Sequence, residues 1–299
     1  MREPWLGNNR SHASRITPHD TMSERTHIEL SPEEERENNK AVLAHVLPFA
    51  IWLTMFVWFD EYNARTLGGI ILLAIFRPWR WYPRLKLRNI PAALGVGVLI
   101  FVVWVGLETP WVAQNAPGVT EWYDRLLVDP MKPFKTRELH EIPLVAESAE
   151  VQEAVALGDE NVERTMLPYE VIEEGEHAGL HAYDPKVTGW LTFWIHMLGT
   201  TVVIAIIEEC FYRGFAYRWM QGSPFFKIDA GQLNWPMLLL ISVFFSVSHF
   251  EIGAAVVCGI AFGLLYIKTQ DIWAAIIAHG TTNFLLGLYV VKYNAYQFW

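Results

Sequence analysis

The sequence has few cysteines and little charge for its length. Two of its 299 residues are cysteine, Cys210 and Cys258, and both lie in apolar stretches, so no disulfide framework is indicated. Charged residues make up 18% of the chain, and they form no basic stripe of the kind that binds nucleic acid. The sequence therefore argues against a disulfide-stapled module and against a nucleic-acid-binding protein.

The chain is instead rich in apolar and aromatic residues. Hydrophobic residues make up 52% of it, fourteen residues are tryptophan, and the mean hydropathy is +0.18. Several apolar runs approach the length of about 20 residues that a helix needs to cross a bilayer. We predict an all-α fold, a polytopic bundle of about seven to eight transmembrane helices. The lipid bilayer is then a partner, and we expect a multi-pass protein of a bacterial plasma (inner) membrane.

The chain divides into four predicted regions. Residues 1–40 are polar, lack the order of a signal peptide and predict a mostly disordered tail. Within that tail, Ser31 as N-cap and Pro32 at the first helical position predict the start of a short helix. The other three regions are N-terminal transmembrane helices at 41–107, an acidic extramembrane insertion at 108–186, and a transmembrane core at 187–299 that carries the polar motifs.

The charges predict the orientation of these regions. The loop at 77–88 has five basic residues and no acidic one, which places it in the cytoplasm by the positive-inside rule. The insertion at 108–186 has six basic and seventeen acidic residues and so a net charge of −11. We expect it outside, leaning on the membrane domain because its own apolar content is thin.

Seven spans are predicted in all. Those before the insertion are 41–59, 62–82 and 90–107. Those after it are 188–207 with a polar helical continuation to about 220, 234–250, 252–268 and 271–291. Gly259 and Gly263 have the small-xxx-small spacing that lets membrane helices approach closely, and we predict a packing role for them.

The first polar motif inside the apolar part is "EECFYR". Glu209 and Arg213 are four residues apart, so they share a helix face and can pair. Glu208 points about 100° away and has no local cation. A carboxylate inside a membrane helix indicates function by default. The alternative is that Glu208 lies at the water interface and snorkels.

Two further motifs repeat this spacing. Phe245 and His249 share a face in "FFSVSHFEIG", and His279 and Asn283 share one in "AIIAHGTTNFLLGL", where Gly280 opens space beside them. Taken alone, His249 is more often a hydrogen-bonded core or interface histidine. The second pair taken alone could be an interhelical polar clasp.

Together the three motifs supply the groups for amide hydrolysis without a covalent intermediate. A carboxylate with an imidazole can deprotonate water. A second imidazole and an amide can stabilise the charge that develops on a carbonyl oxygen. A transporter would instead use the glutamate and the histidines as a proton relay.

In this order on successive helices, the motifs resemble the CAAX-protease and bacteriocin-processing (Abi) family of intramembrane endopeptidases, which includes the type II CAAX prenyl endopeptidases. The resemblance covers about 190–292. It implies a bundle of about eight transmembrane helices, and an endopeptidase that acts on a membrane-anchored protein or peptide. A non-proteolytic immunity or scaffold protein of the same fold remains an alternative. The large insertion departs from the simplest family pattern.

The resemblance also implies roles for seven residues. Glu208 with His249 would activate water, and His279 with Asn283 would form an oxyanion hole. The supporting residues would be Glu209, Arg213 and Phe245. No cofactor is expected. Zinc held by the glutamate and both histidines is the lesser alternative, because no HExxH motif occurs and the asparagine would be a poor zinc ligand.

The predicted spans leave one conflict. If 77–88 is cytoplasmic, Glu208 lies near the cytoplasmic end of its span, whereas His249 lies near the outer end of its own. Either a boundary is wrong by a turn or two, or one span is re-entrant. A helix that runs unbroken from 188 to about 220 would reduce the conflict.

Overall fold

Three helices precede the predicted insertion. The structure is a computed structural model that describes residues 26–27, 30–58, 62–106, 110–123, 125, 185–249, 252–293 and 295. The three helices are α1 (Pro32–Trp58), α2 (Tyr62–Phe76) and α3 (Ile90–Gly106). α2 ends earlier than the predicted limit of 82 because Arg77, which precedes Pro78, takes a left-handed conformation with φ 48°. A 3₁₀ turn, Pro78–Trp81, follows.

The start of α1 corrects the predicted boundary at residue 40. The amide of Glu34 is bonded to the Ser31 hydroxyl, and the Glu34 carboxylate accepts from the Ser31 amide, which is a capping box. The predicted cap is therefore confirmed, but the helix that it starts is α1 itself and not a separate short one. A two-residue strand, β1 (Thr26–His27), also lies within the predicted tail. Residues 1–25 lie outside the described part of the chain.

Most of the predicted insertion lies outside the described residues as well. At its N-terminal edge the structure has two short helices, α4 (Pro110–Asn115) and α5 (Pro117–Tyr123). Each begins at a proline, which suits the first position of a helix because its missing amide would have no intrahelical partner there.

The helix that carries the glutamates is long and irregular. α6 extends over 34 residues, Thr188–Gln221, with a kink at Gly189, where φ is 84°. Two stretches of it are π-helical, Gly199–Ile204 and Cys210–Ala216, and they flank the α-helical Ala205–Glu209. The helix therefore runs unbroken past residue 220, as the solution to the topological conflict requires. Single π turns inside α-helices often mark functional sites.

The last three helices are α7 (Trp235–Ser246), α8 (Ile252–Thr269) and α9 (Ile272–Tyr293). At 1.5 Å per residue the 12 residues of α7 extend about 18 Å, which is too short for a bilayer core of about 30 Å. The predicted span at 234–250 was therefore too long. α7 and α8 form a hairpin in which a Cβ on Gly259 would lie 2.8 Å from the Cα of Ser242, so the predicted packing role is confirmed for Gly259.

Four chain connections meet at one end of the bundle. Lys227, after α6, pairs with Glu34 of α1 at 2.6 Å. Asn89, before α3, donates to Asp271 in the α8–α9 turn at 2.9 Å. β1 pairs in parallel with β2 (Gly222–Ser223) at this end. Because the basic loop at 77–88 belongs to this end, it is the end that the positive-inside rule predicts to be cytoplasmic, and the term cytoplasmic end refers to it below.

This arrangement resolves the predicted conflict. Glu208 precedes the cytoplasmic end of α6 at Gln221 by about 20 Å of helix. His249 follows the inner end of α7, which itself extends about 18 Å from the same side. Both residues therefore lie at a similar depth from this end, because α6 continues to Gln221 as predicted and α7 is shorter than predicted. The predicted fold class, an all-α transmembrane bundle, is confirmed.

Candidate active site

The two glutamates of α6 are both buried among helices. Glu208 is 7% exposed and Glu209 is fully buried. They follow one π-helical stretch and precede the other, so a change of pitch on either side sets the directions in which they point. The snorkelling alternative requires Glu208 to lie on an exposed face. Its burial contradicts that alternative.

Arg213 pairs with Glu209 as its spacing predicted. Its Nη1 lies 2.8 Å from Glu209 Oε1, and both side chains are buried. The Nη2 of Arg213 donates to the Gly259 carbonyl at 3.2 Å, which connects α6 to α8. The guanidinium lies 4.6 Å from the centre of the Phe245 ring, a cation–π distance. The charge of Arg213 is thus held by a carboxylate, a carbonyl and an aromatic face.

His279 of α9 contacts both glutamates. Its Nδ1 lies 2.9 Å from Glu209 Oε1, and its Nε2 lies 4.0 Å from Glu208 Oε2. Its ring stacks on Phe262 with the centroids 5.4 Å apart. No local sequence pattern predicts the Glu209 contact, since the two residues are 70 positions apart. Glu209 therefore orients His279 as well as pairing with Arg213.

His249 lies in the turn just after α7. Its Nδ1 lies 2.9 Å from the Phe245 carbonyl, and its ring centroid lies 4.4 Å from that of Phe245. The Phe245 ring also contacts His279, at 5.9 Å. Phe245 is thus the shared neighbour of both histidines. The two residues of this motif do contact each other as their spacing predicted, but around a helix end and not along a helix face.

Asn283 faces α6 from one turn beyond His279. Its Nδ2 donates to the Thr200 carbonyl at 2.8 Å, in the first π-helical stretch. The helices are very close here, because a Cβ on Gly280 would lie 2.5 Å from the Thr201 carbonyl. A primary amide has two N–H groups, so this bond leaves Asn283 a second donor.

The carboxylates keep unused acceptor capacity. Glu208 Oε2 and Glu209 Oε2 are buried, and neither has a hydrogen-bond partner in the described part of the chain. Buried polar atoms are usually paired, so an unpaired carboxylate oxygen calls for an explanation. Oxygens of this kind can accept a proton or a hydrogen bond from a reactant.

Metal ligation was the alternative use of these groups. Among the residues that the structure describes, no three His, Cys, Asp or Glu side chains are grouped so that they could hold a metal ion.

The fold and this site together define a class of protein. Four described helices are long and apolar enough to cross a membrane, and a buried cluster of carboxylates, a guanidinium and an imidazole lies between them. The chain is an integral membrane protein with a polar site in its interior.

The comparison with protein families is more specific. Residues 190–285 match the model of the Rce1-like family, described as type II CAAX prenyl endopeptidase Rce1-like. The family resemblance seen in the motifs is thereby confirmed over this segment, about a third of the chain. The segment contains every residue of the three motifs. No match was found among curated proteins or among solved structures.

Proposed function

We propose that this protein is an intramembrane endopeptidase that hydrolyses a peptide bond of a membrane-anchored protein or peptide. The observation that carries the proposal is the buried contact of His279 with both Glu208 and Glu209, inside the segment that matches the endopeptidase family. A glutamate and an imidazole 4.0 Å apart can hold a water molecule between them.

The hydrogen bond between His279 and Glu209 favours a proton on the Nδ1 of His279. Glu209 accepts from the guanidinium of Arg213 and is therefore a carboxylate, so the proton of its contact with His279 belongs to the histidine Nδ1. A buried cluster is least costly when its net charge is zero. We propose that Glu208 is ionised when the reaction begins, and the cluster is then neutral when His279 carries a second proton, on Nε2.

This state combines a base with an oxyanion donor. Ionised Glu208 can accept a proton from water, and the protonated Nε2 of His279 can donate to the oxygen on which charge develops. The second N–H of Asn283 is the other proposed donor. Both donors are fixed before the reaction begins, by Glu209 and by the Thr200 carbonyl respectively.

His249 supplies a basic group in addition to the Glu208 carboxylate. Its Nδ1 faces a backbone carbonyl, which can only accept, so Nδ1 carries the proton and Nε2 is the basic nitrogen. In the proposed reaction the water oxygen bonds to the scissile carbonyl carbon while its proton passes to Glu208, assisted by His249. The C–N bond then breaks, and the amine nitrogen receives that proton. No metal takes part in these steps.

The proposal is tested with Glu208→Gln, which removes the base and keeps the shape. The termini of membrane proteins are mapped by mass spectrometry in cells with wild-type protein, with Glu208→Gln, and with Glu35→Gln as a control at an exposed glutamate. Membrane-inserted Glu208→Gln should form no new termini, whereas Glu35→Gln should match wild type. Full turnover by Glu208→Gln would place the base elsewhere, and the absence of any wild-type product would favour a non-proteolytic protein or a transporter.

Metal dependence is measured on the same purified protein. Activity should persist after treatment with EDTA or phenanthroline, and stoichiometric zinc should not be found. One zinc per chain, lost with activity and restored with it, would make Glu208, His249 and His279 ligands instead.

A further inference from the structure

α3 lies outside the matched segment but packs directly on the helix that carries His279. The hydroxyl of Thr282 donates to the Gly97 carbonyl at 2.9 Å. A Cβ on Gly97 would lie 2.6 Å from the Ala278 carbonyl, so the two backbones are nearly in contact. Such a close approach fixes the register of α3 against α9.

This register brings Trp104 to the site. Trp104 follows Gly97 by seven residues and so lies on the same face of α3, two turns further from the cytoplasmic end. Its ring meets that of His249 edge to face, with centroids 5.8 Å apart and planes 65° apart. An aromatic residue from the N-terminal part of the chain therefore borders a histidine that the proposed reaction uses.

The indole N–H of Trp104 has no acceptor among the described residues. Nε1 is buried, and no hydrogen-bond partner for it occurs in the part of the chain that the structure describes. An indole nitrogen can only donate, and a buried Trp N–H usually finds an acceptor. The indole N–H of Trp104 departs from this pattern, and it lies beside the residues proposed for catalysis.

A peptide held for cleavage would supply that acceptor. A bond can be hydrolysed only where the chain is unwound, and an unwound segment inside a membrane exposes carbonyl groups that water does not solvate. The site must therefore offer donors to carbonyls beyond the scissile one.

We propose that the Trp104 N–H binds a backbone carbonyl of the substrate next to the scissile bond. The inference rests on the proposed function. It identifies an extended peptide backbone as the part of the substrate that the site recognises. It also gives α3 a role in substrate binding, although α3 lies outside the segment that matches the family.

The test compares Trp104→Phe with wild type on a cleaved peptide. Phenylalanine keeps an aromatic ring against His249 and removes the donor. The control is Trp190→Phe, at a residue that is 59% exposed. With Trp104→Phe we expect kcat/KM to fall about tenfold, as one lost hydrogen bond would cause, at unchanged thermal stability in detergent. The control should match wild type.

A thioamide scan separates hydrogen bonding from packing. Each substrate carbonyl near the scissile bond is replaced in turn by a thioamide, a weaker acceptor. At one position the wild type should lose activity while Trp104→Phe loses nothing further, since the bond is already absent. Full activity of Trp104→Phe, or additive losses at every position, would overturn the inference. If wild-type protein cleaves no peptide at all, the proposed function fails first, and this inference fails with it.

Discussion

Two of the polar groupings among the described residues, one at each depth of the bundle, differ in how completely their hydrogen-bonding atoms are satisfied. At the cytoplasmic end, Asp271 accepts with both oxygens, from the Lys86 amide and Asn89 on one and from the Trp273 amide on the other. In the middle of the membrane, Glu208 and Glu209 each keep one oxygen without a partner among the described residues.

This difference between the carboxylates indicates which of them can take part in a reaction. A carboxylate whose acceptors are all occupied holds chain connections in place and has no capacity for a reactant. A carboxylate with an open oxygen, kept ionised by a neighbouring cation, is costly for stability and therefore needs a reason to exist. Substitutions in the mid-membrane site should affect activity, whereas those at the cytoplasmic end should affect stability alone.

The largest effect is expected from Arg213→Ala. It leaves Glu209 buried without its guanidinium, and breaking a buried pair in this way costs about 3–5 kcal/mol. The membrane yield and the thermal stability in detergent should both fall strongly, whereas Arg84→Ala at an exposed arginine should change neither.

A double variant separates the effect on stability from the effect on activity. Arg213→Met combined with Glu209→Gln removes both charges, so stability should recover in large part while activity stays lost. Recovery of activity with stability would show that the pair has no role in orienting His279.

Asn283→Ala comes next, and its effect should be on the rate. Loss of one oxyanion donor typically lowers kcat about 10²-fold, which is about 2.7 kcal/mol. KM should change little, and Phe284→Leu at a neighbouring, lipid-exposed position serves as the control. A raised KM at wild-type kcat would instead make Asn283 a substrate-binding residue or a clasp to Thr200.

Asp271→Asn should destabilise the protein without slowing it. An amide group in place of one carboxylate oxygen would face a donor, and an unsatisfied buried group costs about 1–3 kcal/mol. The melting temperature should fall while the rate per folded molecule stays at the wild-type level. Asp229→Asn, at an exposed carboxylate of the same end, should do less. A specific loss of rate in Asp271→Asn would contradict the separation of the two groups.

The smallest effect is expected from Lys227→Ala. The hydrogen bonds from Lys227 and Ser31 lower the pKa of Glu34 from 4.5 to about 2, but the carboxylate is exposed and surface pairs stabilise little. A depressed pKa gives stability that is present above the ordinary pKa and lost as pH falls toward 2. The small difference in melting temperature between wild type and variant should therefore be the same at pH 7 and pH 5. The absence of any difference at both pH values would show that the contact does not form, and a difference that vanishes by pH 5 would assign the effect to another titrating group.

Local patterns in the sequence were sufficient for several features. The pairing of Glu209 with Arg213 follows from the spacing of four on a helix, and the capping box at Ser31 follows from the residue types at a helix start. The close packing at Gly259 follows from the absence of a side chain. Each of these depends on residues whose relation is fixed by the geometry of one helix or by residue size.

Helix lengths were less predictable. α7 ends at Ser246 although the apolar run continues, whereas the predicted polar continuation of α6 to about residue 220 is confirmed. Hydropathy reports which residues tolerate lipid, and it does not report where a helix ends inside a protein. The predicted tail likewise was corrected at 32–40, where the polar residues continue α1.

The class of fold and the residue types of the candidate site follow from the sequence, because apolar length and helical spacing are local properties, and the cytoplasmic side stays a prediction from the loop charges. The contacts of His279 with both glutamates, of His249 with Phe245 and of Trp104 with His249 are visible only in the folded structure. These contacts join separate helices, and their geometry follows from interhelical packing at glycines such as Gly97, which no spacing along a single helix contains.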